Sequence, residues 1–231
     1  MFQIIIISKN QEASINDMVN SLDNCFFGIP KIFVLDRPSI NDNSETILKE
    51  LNQEYIINND GLGFQAGRVR NLGLEHCGIQ NTLFFDGDRI SKNFNIDIVE
   101  KGLELFDVCL GKAEFDMRRI FTNEFTKNNR IGTFHNDCFS CCFSIRKEMI
   151  QKIINLQGNL FNETFYERFG EEDRFSLGDL VFHLGGIVGC YPSSSFVTGG
   201  FSKITDRNSY ETQVKKRIEL IQKYNIPITS H

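Results

Sequence analysis

An α/β domain with a mostly parallel central sheet and helices on both faces is predicted by three observations. Short apolar runs alternate with helical segments through the first half of the chain, the pattern of consecutive βαβ units. Runs such as Ile4-Ile5-Ile6-Ile7 and Leu83-Phe84-Phe85 are continuously apolar, as befits strands buried on both faces. Four prolines and eighteen glycines in 231 residues leave no room for a long flexible linker, and there is no internal repeat or low-complexity tract. The chain therefore reads as a single domain, 1–231, long enough to bury a substantial core.

The elements follow in order. Gln3 to Ser8 is the first strand, followed by a helix around Ala13 to Leu22. Ile32 to Leu35 is the second strand, and a helix near Ser44 to Leu51 comes next. Asp42 and Glu45 are spaced as a capping box at its start, with Ile47, Leu48 and Leu51 as its apolar face. Tyr55 to Asn58 is a third strand, a helix after Gly63 ends near Cys77-Gly78, and Thr82 to Phe85 is the fourth strand. The second half is less regular. Asp107 to Lys112, Cys138 to Ile145 and Ile187 to Tyr191 read as strands, Arg146 to Asn155 and Glu172 to Leu184 as helices. Tyr210, Val214, Ile218 and Ile221 share one face of a last helix, which is expected to pack back on the body.

A net charge of −5 argues against binding nucleic acid by charge alone. The one dense basic run, Lys215-Lys216-Arg217, reads as a solvated helix face. The apolar run at the N-terminus has no charged region before it and is too short for a signal-peptide core or a membrane span. Seven cysteines is an odd number, and the single Cys-x-x-Cys pair, Cys138 and Cys141, lacks a second half. These features predict reduced core thiols in a cytoplasmic protein, with a peripheral place at a membrane surface left open.

In a sheet of this kind, ligands bind beyond the carboxyl ends of the strands. That directs attention to Ser8 to Asn10, Asp36 to Pro38, Asn59 to Gly63 and Asp86 to Arg89. Asp86-Gly87-Asp88 sends two carboxylates out of a buried strand, and hard oxygen donors of this type suit magnesium or manganese beside substrate phosphates. Gly87 permits a sharp turn and close approach of the backbone to a ligand. Asp36 can accept a hydrogen bond from a ligand N–H or cap the turn of Pro38 and Ser39. Arg70 can pair with phosphate, as arginine does bidentately, whereas Arg68 reads as solvated. Glu171, Glu172 and Asp173 open a helix after an aromatic approach, Phe161 to Gly170. Crowded, partly buried carboxylates can act as a general base. The histidines do not cluster; His76 and His183 fall in helices, and His135 lies in a loop near Asp137. Gly61 to Gly67 matches neither a dinucleotide fingerprint nor a P-loop, and serine, histidine and acid show no nucleophile-elbow spacing.

Taken in order, these pieces resemble the glycosyltransferase-A (GT-A) fold, a Rossmann-like architecture, and within it the family-2 type and its galactosyltransferase-like relatives. The resemblance runs from Gln3 to about Phe196. Its parts are Ile4 to Asn10, Val34 to Ser39 with Asp42, Gly67-Arg68-Val69-Arg70-Asn71-Leu72-Gly73, Leu83 to Asp88, and Phe161 to Asp173. It implies a nucleotide-binding half at 1–90, an acceptor-binding half at 91–200 and a C-terminal helix at 201–231. It also implies a metal-dependent glycosyltransferase that moves a sugar from a nucleotide donor, most commonly a UDP-sugar, to a hydroxyl acceptor with inversion.

Residue by residue, the resemblance implies that Asp36 binds the base and that Arg70 lies near the base or diphosphate. Ser8, Asp86 and Gly87 would line the donor site, with Asp88 a ligand of Mn2+ or Mg2+ and Asp86 in its shell. Asp173 would be the general base, and Glu172 would help hold the acceptor, be it glycan, protein or another hydroxyl; a nucleic-acid acceptor is the less expected. Two departures stand out. The usual histidine after the last strand is missing from Pro192 to Thr198, and no tryptophan occurs anywhere. Phe165, Tyr166 and Phe169 are the aromatics that could serve as acceptor platforms instead. A nucleotidyltransferase, or a non-catalytic nucleotide-sugar-binding protein on the same scaffold, are the other readings; Ser8 to Glu12 lacks the glycine-rich basic loop the former needs.

Overall fold

The computed structural model describes residues 2–36, 42–60, 65–87, 89–91, 94–113, 124–128, 139–165, 171–192, 196–199 and 207–227. The elements are β1 (Phe2–Ser8), α1 (Glu12–Cys25), β2 (Lys31–Asp36), α2 (Ser44–Glu50), β3 (Tyr55–Asn58), α3 (Ala66–Cys77), β4 (Asn81–Asp86) and β5 (Arg89–Ser91). They continue with α4 (Ile96–Leu105), β6 (Val108–Ala113), β7 (Thr126–Asn128), β8 (Phe139–Ile145), α5 (Lys147–Gln157) and α6 (Glu171–Asp173). After α6 the helix runs on as a π-helical stretch, Arg174–Asp179, into α7 (Leu180–His183), followed by β9 (Val188–Cys190), β10 (Phe196–Gly199) and α8 (Arg207–Lys223).

β3, β2, β1 and β4 lie side by side in that order and all run parallel. The chain winds outward from β1 to β3, then returns with β4 to the other side of β1. The second half joins through β8, which is antiparallel to both β4 and β6, while β9 and β10 lie parallel to β6. The predicted parallel order thus occupies the first half, and antiparallel ladders enter where the sequence pattern becomes irregular.

Strand alternation divides the apolar side chains between two faces. Ile5, Ile7, Ile32, Val34 and Phe84 pack with Val69 and Leu74 of α3 and Met149, Ile150 and Ile153 of α5. Ile4, Ile6, Phe33, Leu35, Leu83 and Phe85 pack on the other face with Ile15, Met18, Val19 and Leu22 of α1 and Val99 and Leu103 of α4. Each of these buried side chains contributes about 2 kcal/mol, which makes the sheet centre a firm base for its strand ends. α3 packs tightly on it: a Cβ at Gly73 would stand 2.6 Å from Ile5 Cγ2.

Four local expectations are corrected. The capping box of α2 does not form. Asn43 is the N-cap, Asp42 accepts from the Ser44 amide at 2.7 Å, and Glu45 instead binds the Tyr55 hydroxyl at 3.0 Å and Lys49 at 2.7 Å. The last helix does pack back, but on a rotated face: Gln213, Leu220 and Ile221 are buried, whereas Ile218 is 44% exposed. Within the basic run, Arg217 is not solvated. Its Nε and Nη2 donate to Asp179 at 2.7 and 3.0 Å, and Nη1 donates to Glu171 at 3.2 Å. Lastly, Cys25, Cys77, Cys109 and Cys142 form no disulfide, as expected, but Cys190 is disulfide-bonded. No described helix is long and apolar enough to cross a membrane.

Candidate active site

The strand order reverses between β1 and β4, and the crevice beyond such a switch point is where open α/β sheets bind ligands. β1 ends at Ser8, whose Oγ is buried with no hydrogen-bond partner among the described residues. β4 ends at Asp86, and the chain then folds over the end of β1, with the Gly87 amide donating to the Ile7 carbonyl at 2.7 Å. A Cβ at Gly87 would stand 2.9 Å from that carbonyl oxygen and 3.0 Å from Ser8 Oγ, so only glycine fits without displacement. One strand further out, the buried Asp36 carboxylate accepts from Asn58 Nδ2 at 2.8 Å and pairs with Lys9 at 3.2 Å.

α3 forms the opposite wall and organises the acidic segment that arrives from the far end of the sequence. Asn71 Nδ2 donates to the Phe161 carbonyl and to Glu163 at 2.9 Å each, while its Oδ1 accepts from the Phe161 amide at 3.0 Å. Arg68 pairs with Glu163 at 3.1 Å and with Asp60, so it is not the solvated residue expected. At the first turn of α3, Glu172 Oε2 accepts from the Gly67 amide at 3.3 Å. No acidic residue of α3 itself lies in that turn, and a side-chain oxygen from outside satisfies one of the open amides at the helix N-terminus. Any Cβ at Gly67 would overlap Glu172 Oε1 and approach Phe161 Cβ to 2.7 Å.

Arg70 joins the two acidic groups. Nη1 donates to Asp173 at 2.6 Å and Nη2 to Asp86 at 3.1 Å. Its side chain is 3% exposed, against 11% for Asp173 and 32% for Asp86. The guanidinium lies 5.3 Å from the Phe143 ring centre and 5.2 Å from that of Phe161. Burial pulls the Arg70 pKa down, but Asp173, Asp86 and Glu172 outweigh it and leave it above the ordinary value. Arg70, expected near a donor's base or diphosphate, here donates to two carboxylates.

Burial, reinforced by Asp173, pushes the Glu172 carboxyl up from its ordinary 4.5 to about 8, while Arg70 opposes the rise. The folded protein therefore binds one more proton than the unfolded chain between these values, and stability falls as pH rises through this window. Glu172→Gln removes that dependence. In thermal melts, its Tm relative to wild type is expected to be several degrees more favourable at about pH 9 than at about pH 5. An equal difference at both pH values would show that Glu172 titrates as an ordinary carboxyl.

Contacts thus link Ser8, Gly87, Asp86, Arg70, Asp173 and Glu172 in one series at the carboxyl ends of β1 and β4, with Asp36 one strand further out. Asp88, His135, Tyr166 and Phe169 lie outside the described residues. Phe165 is buried, its ring 6.2 Å from that of Phe175, and so serves the core rather than an acceptor platform. Gly67 and Asn71 belong to the Gly67–Gly73 motif but are given no role by the sequence, and Asn58 and Gln65 are not singled out by it as site residues. Gln65, at the N-cap of α3, has both amide atoms buried with no partner among the described residues. A buried, unsatisfied amide is the kind of group a ligand completes, but a glutamine at this point of the sequence carries no signal of it.

No family model and no curated protein matches this sequence. Among solved structures, it is similar to S. aureus TarS residues 1–349 in complex with UDP-GlcNAc, with a TM-score of 0.68 at 16% identity over 99% of this chain and 68% of that one. The chain has the GT-A fold. The same piece of TarS in complex with UDP gives 0.68 at 17% identity, with 99% and 67% covered. A longer TarS chain again gives 0.68 at 16% identity, and there the GT-A domain described here spans 99% of its own length but only 40% of that chain. At such identity the likeness is one of fold, and the residues at the crevice carry the chemistry.

Proposed function

We propose that the protein is a glycosyltransferase that takes a sugar from a nucleotide donor, a UDP-sugar, and passes it to a hydroxyl acceptor. The observation that carries this reading is the ion-paired cluster at the β1/β4 switch point, where Arg70 holds Asp86 and Asp173 side by side. The same fold in TarS accommodates UDP-GlcNAc and UDP, which supports a uridine diphosphate for the donor.

On this reading the donor's nucleotide lies over the ends of β1, β2 and β4, with Ser8, Asp36 and Gly87 as its contacts. The unsatisfied Ser8 hydroxyl and the glycine-lined turn provide a polar, closely approachable floor. Asp173 takes the proton of the acceptor hydroxyl. The freed oxygen bonds to the anomeric carbon as the bond to the diphosphate oxygen breaks, and UDP leaves with that electron pair. A base on the face opposite the leaving group gives inversion. Among the described residues no group of three or more His, Cys, Asp or Glu side chains is set to hold a metal. The Asp86 carboxylate is nonetheless a hard oxygen donor at a partly exposed strand end, of a type that fits Mn2+ or Mg2+. With Asp88 it would hold such an ion, which when bound neutralises charge on the departing diphosphate.

The test is a screen of nucleotide sugars and nucleotides by thermal shift, with and without Mn2+, followed by transfer and donor-hydrolysis assays on those that bind. UDP or UDP-GlcNAc well above its Kd is expected to raise Tm by about 5 °C. If no nucleotide sugar stabilises the protein under either condition, the reading is wrong; stabilisation without transfer or hydrolysis would make it a binding protein.

A further inference from the structure

Resting on that reading, we propose that Arg70 is a positioning residue that ties the donor-side carboxylate Asp86 to the acceptor-side carboxylate Asp173. The two acids come from different parts of the sheet and helix framework, one from the end of β4 and the other from α6. The residues just before α6, 166–170, lie outside the described residues, so within the described site Arg70 is the group that joins them directly. One planar guanidinium reaches both, with a different terminal nitrogen for each.

The guanidinium itself is held. It rests against the paired rings of Phe143 and Phe161, whose centres are 6.0 Å apart, and Phe161 is fixed to α3 through Asn71, one residue along from Arg70. A side chain buried to this degree, with both terminal nitrogens engaged by carboxylates, is poorly placed to grip a phosphate arriving from solvent. It is well placed to set a distance. Arginine suits the task because its fork has fixed geometry, whereas a lysine ammonium is a single point of charge. Misplacing a reacting group by about 1 Å can cost about 100-fold in rate, so a rigid link between base and donor site is worth a buried cation.

Arg70→Met and Arg70→Lys are compared with wild type in UDP-sugar transfer. Arg70→Met is expected to lower kcat about 100-fold with donor KM changed less than about threefold. Arg70→Lys is expected to recover only part of the rate, because a single ammonium does not hold both carboxylates in the fixed geometry of the fork. A donor KM raised more than about tenfold with kcat retained would make Arg70 a donor ligand and overturn the proposal, as would full recovery of kcat in Arg70→Lys.

A second measurement does not depend on activity. The Tm losses of Asp86→Asn and Asp173→Asn are expected to be non-additive by about 3 °C when Arg70 is present. They are expected to be additive in Arg70→Met, or in Arg70→Gln if the methionine variant does not fold. Additive losses with Arg70 in place overturn the proposal whether or not sugar is transferred. Non-additive losses in a protein that transfers no sugar overturn the functional reading alone.

Discussion

Asp173→Asn is expected to lower sugar transfer about 1000-fold while UDP still raises the melting temperature of the variant. The amide has the size and shape of the carboxylate and can still accept a hydrogen bond from Arg70 Nη1, which now reaches Asp173 at 2.6 Å. It cannot take a proton from an acceptor hydroxyl. Donor binding is spared because the proposed nucleotide contacts, Ser8, Asp36 and Gly87, belong to the ends of β1, β2 and β4 rather than to α6. Steady-state transfer and UDP-induced thermal shift on the same preparation check both halves. Transfer within about tenfold of wild type would remove Asp173 from the role of base; loss of UDP binding would place it at the donor instead.

Arg217→Met is expected to destabilise the protein by about 3–5 kcal/mol, the range for breaking a buried ion pair by removing one partner. Glu171 and Asp179 are each about 1% exposed. Burial raises the Asp179 pKa, and the Arg217 hydrogen bonds oppose the rise. With a methionine at 217, Asp179 loses both of the bonds that Arg217 makes to it, and Glu171 keeps Arg174 at 2.6 Å. Adding Asp179→Asn should recover a large part of the loss, because a neutral amide costs less to bury than an unpaired carboxylate. Urea unfolding of the single and double variants measures this, and a loss below about 1 kcal/mol in the single variant would mean that the pair contributes little.

The fold was legible because its determinants are local. Continuous apolar runs marked β1, β2 and β4, and the rule about strand ends then pointed to Ser8, Asp36, Asp86 and Gly87 without any knowledge of contacts. What could not be read was pairing. Arg70 reads as a phosphate partner until Asp173, 103 residues later, is brought against it. Glu45 has the spacing of a capping residue, yet Tyr55 and Lys49 claim its carboxylate. On α8 the apolar pattern favoured Ile218, but the charge pairs of Arg217 turn that helix so that a polar edge with Gln213 faces inward. Hydrophobic periodicity has no means of seeing a buried arginine that brings its own partners.

The separation of these partners along the chain has a consequence for biosynthesis. The crevice floor is made early, by the strands up to Asp86, but the carboxylate that would act on an acceptor is delivered 103 residues after its arginine, and the helix beneath it is clamped by a residue a further 46 positions beyond Glu171. A ribosome emits the N-terminal strands long before either event. On the proposed function, a growing chain would expose the strand ends assigned to the donor before it carries the carboxylate assigned to the acceptor, and transfer would begin only once α8 has emerged and closed on Glu171 and Asp179.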